Sequence, residues 1–226
     1  MPSSKNSFPS GLPTLQLPHI QTVSKAADIP GCFARTGLAY TAIDVVNWPD
    51  DFPEHPRACF AAAHDDSRIL LHFKVREALT GAQTADDDGP VWEDSCVEFF
   101  CAPDDGGYYN LECNCIGRLH LAFGRGRENR TAAPAEVTAK IDRWASLGHI
   151  PLPLQHVPAW ELALTVPAEA FFRHSPAPLA GQRMKGNVYC MGGRPVRPHY
   201  LSLFPIRSEK PDFHRPECFS EFIFLQ

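Results

Sequence analysis

Residues 94–115 read DSCVEFFCAPDDGGYYNLECNC, two stretches of alternating polarity on either side of a turn rich in Asp and Gly. Because strand side chains point alternately to opposite faces, the pattern predicts a β-hairpin with strands 94–101 and 108–115. An apolar face would carry Val97, Phe99, Cys101, Leu111, Cys113 and Cys115, and the opposite face Glu98, Asn110, Glu112 and Asn114. Sheet burial does not require two carboxylates and two carboxamides on adjacent strands, so the second face is a candidate polar site.

Strand signals recur through the rest of the chain, at residues 58–64, 69–75, 160–166, 182–191, 200–203 and 221–225. The spacing of Val137, Ile141 and Trp144 predicts one short helix over 134–148, and residues 167–172 predict a single helical turn. The Gly- and Asp-rich segment 79–90 is predicted to be a loop. These elements, with 22 prolines that interrupt helices, predict an all-β sandwich with minor helix.

Length, charge and hydropathy narrow the class of protein. A β-sandwich of 226 residues commonly forms one domain, so we predict a single domain over 19–226 after a polar tail or edge segment, 1–18. A net charge of -5 with scattered Lys and Arg argues against nucleic acid or an anionic membrane as a partner. The start MPSSKNSFPSG lacks the apolar centre of a secretory signal. We therefore expect a cytoplasmic protein, or a secreted or periplasmic one if a signal peptide has been removed.

The eight cysteines include no Cys-x-x-Cys pair, so we expect buried free thiols rather than a zinc site or a disulfide scaffold. The acidic run Asp86-Asp87-Asp88-Gly89 is either solvated or a candidate for binding a hard cation.

Two motifs carry a resemblance to a known family, VWEDSCVEFF at 91–100 and YNLECNCIG at 109–117. They resemble the family 9 carbohydrate-binding modules, and more closely the stand-alone bacterial proteins similar to that family; the likeness extends over roughly 40–226. The resemblance implies an immunoglobulin-like β-sandwich of two antiparallel sheets with one or two short helices, as in DOMON domains. It also implies non-catalytic binding of a mono- or oligosaccharide, linked to carbohydrate catabolism, and calcium as a possible structural ion.

The same resemblance implies that Trp92 stacks on the sugar and that Glu98, six residues later, hydrogen-bonds its hydroxyls. The second aromatic of the family site has three candidate positions here, Tyr189, His199 and Tyr200. A sugar site needs an aromatic surface with converging polar groups, and Glu112, Asn114 and Arg118 add groups of that kind. The alternatives are that Trp92 is a core aromatic and that Glu98 forms a structural salt bridge.

Two other functions stay open at this point. Glu98 and Glu112 on neighbouring strands are also the residue types of a glycoside hydrolase, which would make this chain an enzyme. Some DOMON relatives bind haem through Met and His, for which Met184, Met191, His199 and His214 would be the ligands. No Gly-x-Ser-x-Gly motif supports nucleophilic catalysis.

Overall fold

The computed structural model describes residues 13–193 and 198–226. These residues form sixteen strands: β1 Thr14–Leu17, β2 Thr41–Ala42, β3 Val45–Val46, β4 Arg57–His64, β5 Arg68–Arg76, β6 Thr80–Ala82, β7 Ser95–Asp104, β8 Gly107–Asn114, β9 Leu119–Gly124, β10 Thr131–Ala132, β11 Asp142–Ala145, β12 Leu152–Gln155, β13 Trp160–Pro167, β14 Arg183–Gly192, β15 His199–Ser202 and β16 Ser220–Phe224. The predicted hairpin is confirmed as β7 and β8, with Glu98 directly opposite Glu112.

A nine-stranded sheet follows the order β1-β16-β14-β7-β8-β9-β10, with β15 and β3 attached beside β14. Its pairs are antiparallel except at the edge, where β1 runs parallel to β16. A five-stranded sheet has the order β11-β13-β5-β4-β2, and β12 pairs with β6 in a third, two-stranded sheet. The predicted all-β sandwich with minor helix is confirmed.

Alternation along the strands builds the main core between the two large sheets. Val97, Phe99 and Leu111 on one side and Phe60 and Phe73 on the other belong to the same buried cluster. Each of these side chains is less than a tenth exposed. Burial of this size is the main driving force for joining the sheets.

A second buried cluster covers part of the outer face of the nine-stranded sheet. Phe100 and Tyr189 on that face pack against Phe213 and Phe219, which come from the segment before β16, and against Trp48. These aromatic residues therefore cover part of the outer face that the sequence predicts to be polar. The uncovered remainder lies above Glu98 and Glu112.

Helix α1, Ile29–Thr36, was missed from sequence; α2 is Ala135–Thr138. Ile29 and Phe33 of α1 are fully buried against small residues on the outer face of the five-stranded sheet. Gly37 ends the helix with a φ of 66°, a conformation that glycine adopts without a steric penalty. No helix among residues 13–193 and 198–226 has the length and apolar character needed to cross a membrane.

The predicted helix over 134–148 is wrong beyond its first turn. Residues Asp142–Ala145 form strand β11, which pairs with β13 at the edge of the five-stranded sheet. Ile141 enters the core between the sheets, whereas Trp144 packs with the outer cluster around α1. Side chains on opposite faces fit a strand, and the open edge of β13 supplied hydrogen-bonding partners that helical spacing could not reveal.

Four further predictions, on a loop, the first segment, a helical turn and the cysteines, have different outcomes. The predicted loop 79–90 contains the short strand β6, paired with β12, which the Gly-rich sequence did not indicate. Of the predicted tail or edge segment 1–18, residues 1–12 lie outside the described chain, and Thr14–Leu17 is an edge strand. Residues 168–170 form the predicted turn, as a 3₁₀ helix. All eight cysteines are free thiols.

Candidate functional site

A cavity of about 330 Å³ lies on the outer face of the nine-stranded sheet, above the β7–β8 hairpin. It is lined by Trp92, Glu98, Asn110, Glu112, His120, Arg127, Arg130, Met191, Tyr200, Pro211, Asp212, Phe213 and His214. The sheet supplies the floor through the alternate residues of β7, β8 and β9. Residues 211–214 form a wall.

The wall is held in place by Tyr189 of β14. Its ring stacks on Phe213 with centroids 4.1 Å apart and planes 6° from parallel. Its hydroxyl donates a hydrogen bond of 3.1 Å to the carbonyl oxygen of Phe213. Tyr189 is fully buried, so it shapes the cavity from beneath, and Phe213 presents its own ring to the cavity.

Two carboxyl groups form the polar floor. Glu98 and Glu112 are 2% and 3% exposed and lie opposite each other across the hairpin. Burial, and then the nearby Glu112, raise the pKa of Glu98 well above its ordinary value. Burial also raises the pKa of Glu112, although Asn110, His120 and two arginines oppose the shift. Both shifts act in the same direction and favour the protonated form of each carboxyl.

Asn110 and Arg130 hold one of these carboxyls in place. Asn110 Nδ2 donates to Glu112 Oε1 at 2.8 Å, and Arg130 Nε donates to Asn110 Oδ1 at 2.9 Å. Arg130 stacks 4.2 Å above the ring of Tyr108, which orients its guanidinium. The other oxygen, Glu112 Oε2, is buried and has no hydrogen-bond partner among the described residues. It remains available to a ligand in the cavity.

His214 adds a second polar group to the cavity wall. Its Nδ1 lies 2.8 Å from the Tyr108 hydroxyl, and burial, followed by nearby cations, lowers its pKa to about 3. The ring is therefore neutral at physiological pH. With the Tyr108 hydroxyl as donor, Nε2 carries the ring proton and can donate to a ligand.

Trp92 is the exposed aromatic of the site. It lies in a 3₁₀ turn, Val91–Glu93, between the preceding loop and β7, and 40% of its surface is exposed. Its ring contacts His120 edge to face, at 5.6 Å between centroids. An exposed tryptophan beside buried carboxyls is the arrangement that sugar binding requires, because sugars present C–H faces and hydroxyl rims.

The structure brings together only some of the residues predicted for the site. Trp92, Glu98 and Glu112 line one cavity with Tyr200, and Tyr189 supports its wall. Asn114, Arg118 and His199 lie elsewhere. Asn114 bonds Thr84, Asp94 and the backbone of Arg118, and an Arg118 nitrogen donates to the His149 carbonyl oxygen. His199 is buried beside Glu77, 3.6 Å away.

Sequence reasoning missed His120, Arg127, Arg130 and Phe213 as cavity residues, and named Asn110 only as part of the polar face. His120 lies opposite Glu112 in the pairing of β8 with β9. Extending the alternation to this third strand would have identified it. The Asp, His and Arg residues of the proline-bounded loop 211–216 indicate a loop that lines a site, but no local pattern places Phe213 over this face of the sheet.

The described residues do not fit a calcium site at the acidic run. Asp87 pairs with Arg143 at 2.7 Å, and Asp88 pairs with His120 at 2.5 Å. Within 13–193 and 198–226, no group of three or more His, Cys, Asp or Glu side chains is arranged to hold a metal.

The candidate haem ligands lie in three places. Met191 and His214 line the cavity, whereas Met184 belongs to the core between the sheets and His199 lies beside Glu77. Met191 and His214 therefore face one pocket, and Met184 and His199 do not.

Comparison with known proteins agrees with the fold. The model of carbohydrate-binding family 9 matches residues 27–224, nearly the whole chain. The chain belongs to this family of binding modules. Among functionally curated proteins, none matched the chain.

Solved structures that resemble this chain include three described as carbohydrate-binding or proposed to be so. A protein from Bacteroides uniformis, proposed to bind carbohydrate, is 40% identical, with a TM-score of 0.90 over 93% of this chain and 98% of its own. A family 9 module from Caldicellulosiruptor kristjanssonii in complex with cellotriose is 10% identical, with a TM-score of 0.60 over 94% of each chain. Its glucose complex is 12% identical, with a TM-score of 0.57 over 94% of this chain and 95% of that one. At such identity the last two support the fold alone.

Proposed function

We propose that the cavity above the β7–β8 hairpin binds a mono- or oligosaccharide. The observation that carries the proposal is the half-exposed ring of Trp92 beside the buried Glu98–Glu112 pair. Trp92, Tyr200 and Phe213 offer apolar surface to sugar C–H groups, and the carboxyls and His214 offer hydrogen bonds to hydroxyls. A volume of 330 Å³ is near the lower end of ligand pockets, roughly 300–1,000 Å³, which favours one sugar unit or a chain end.

Calorimetric titration with a panel of mono- and oligosaccharides tests this proposal. We expect saturable binding to the wild type and a loss of about tenfold or more in Trp92→Ala, because removing the ring removes a desolvated stacking surface. Ile150→Ala, at a 79% exposed apolar residue outside the cavity lining, is the matched control and should bind as the wild type does. Unchanged affinity in a folded Trp92→Ala protein, or no binding by the folded wild type, would contradict the proposal.

We infer that the Glu98–Glu112 pair binds sugar without hydrolysing it. A glycosidase places its two carboxyls around the scissile bond, and one of them must be ionised as base or nucleophile. Here the two groups lie directly opposite each other on one sheet floor, so they meet a ligand from the same side instead of flanking a bond. Incubation with the oligosaccharide that binds should release no reducing ends. Release by the wild type that disappears in Glu98→Gln would show instead that the chain is a glycoside hydrolase.

A further inference from the structure

The floor of the cavity has an excess of hydrogen-bond acceptors. Glu112 Oε2 is buried with no partner among the described residues. Burial and the nearby Glu112 raise the pKa of the Glu98 carboxyl, and no hydrogen bond from a described residue contributes to that shift. Asn110 has already committed its amide to Glu112 and its oxygen to Arg130. The buried end of a ligand must therefore supply several donors at once.

Among residues 13–193 and 198–226, the charged groups that line this floor do not contact the carboxyls directly. Arg130 directs its nitrogens to Asn110 and to the carbonyl oxygens of Gly126, Tyr108 and Ala122. His120 is bonded to Asp88 and His214 to Tyr108. The remaining lining charges are Arg127, which is exposed, and Asp212, which accepts from the His214 backbone and lies 3.8 Å from Arg215. Within the described residues, no cationic side chain is therefore hydrogen-bonded to the two floor carboxyls.

We propose that this cavity prefers an amino sugar, with a free ammonium group bound between Glu98 and Glu112. An ammonium has three donors and no acceptor, which matches the unpartnered oxygens, and its positive charge compensates the pair. The aromatic walls would contact the sugar ring. This inference rests on the proposed function, since it names the class of sugar that the same site takes.

The test compares D-glucosamine with D-glucose and N-acetyl-D-glucosamine by calorimetry at about pH 6, where an amine with a pKa of about 7.7–8.0 is protonated. N-acetylation removes the charge and two of the three donors. We expect glucosamine to bind about tenfold more tightly than either neutral sugar, as charge-assisted hydrogen bonds would give. Glu112→Gln should abolish the preference, while Glu169→Gln, at an exposed glutamate outside the cavity lining, should keep it.

Glucose binding as tightly as glucosamine, or more tightly, would overturn the amino-sugar preference and leave the proposed sugar site standing. Failure of the folded wild type to bind any sugar of the wider panel would overturn both. The ratio measured on the wild type decides the question even if Glu112→Gln does not fold.

Discussion

Two adjacent tyrosines on β8 point to opposite faces of the sheet, one toward the cavity and the other into the core. Tyr108 points to the outer face and bonds His214 of the cavity wall, whereas Tyr109 points into the core between the sheets and bonds His174 at 2.7 Å. Both hydroxyls contact the Nδ1 atom of a histidine. Only the first of these pairs belongs to the proposed sugar site, so the two tyrosines offer a matched experiment.

We expect Tyr108→Phe to weaken sugar binding by about threefold to tenfold, equivalent to one neutral hydrogen bond of about 0.5–1.5 kcal/mol. Without the Tyr108 hydroxyl, the neutral His214 ring is free to carry its proton on Nδ1, and Nε2 then stops donating to the ligand. Calorimetry measures the affinity, and Tyr109→Phe is the control that should retain it. Equal losses in the two variants would contradict the assigned role of His214.

At the scale of the element, β14 determines how closely the nine-stranded sheet packs. It lies between β7 and β16, and it carries Gly186 where the carbonyl of Phe100 and the ring of Phe222 leave no room for a side chain. A methyl group there would overlap both neighbours, and one of them is backbone that cannot rotate away. Glycine is needed for this close approach rather than for its conformational freedom.

Gly186→Ala should lower the free energy of unfolding by about 1–3 kcal/mol, the usual cost of overpacking a core. At about 2–4 °C per kcal/mol for a chain of this size, the melting temperature should fall measurably in a thermal scan. Gly126→Ala serves as the control, because nothing lies within 4 Å of the added methyl. A melting temperature of Gly186→Ala equal to that of the wild type would show that β14 shifts to accommodate the methyl.

For the whole molecule, burial of titratable groups couples stability to pH in two opposite directions. Burial lowers the pKa of His199 to about 4 and raises the pKa of Glu77, its neighbour at 3.6 Å. The lowered histidine contributes stability that is present above its unfolded pKa of about 6.5 and is lost as pH falls through about 4. The raised carboxyl contributes stability that is present below its unfolded value and is lost as pH rises through its folded pKa.

The contributions of His199 and Glu77 to stability change with pH in opposite directions. The prediction therefore concerns the difference in free energy of unfolding between the wild type and a His199 variant. From about pH 6.5 to 4, the wild type should lose about 1.4 kcal/mol per pH unit relative to His199→Gln, which has no imidazole to protonate at that position. Urea unfolding at a series of pH values measures this slope. His55→Gln, at an exposed histidine, controls for the loss of an imidazole. Parallel pH profiles for the wild type and His199→Gln would refute the linkage.

Local alternation was enough to predict the β7–β8 hairpin, the face of each of its residues, and the placing of Glu98 and Glu112 together; the resemblance to family 9 modules added Trp92 to them. That information is local, because side chains two residues apart share a face and the Asp- and Gly-rich turn sets the pairing. The strands at 58–64 and 69–75 could be predicted for the same reason and are observed as β4 and β5.

Only the tertiary structure decided what covers the outer face. Phe213 reaches the cavity through its stack on Tyr189, far away in sequence, and Asp142–Ala145 became a strand because β13 had an open edge. Asn114 shares the face of Glu112, but its side chain is already hydrogen-bonded to Thr84, Asp94 and the Arg118 backbone, so it does not face a ligand. These outcomes depend on contacts between distant parts of the chain, whose free energy is absent from any local pattern of residues.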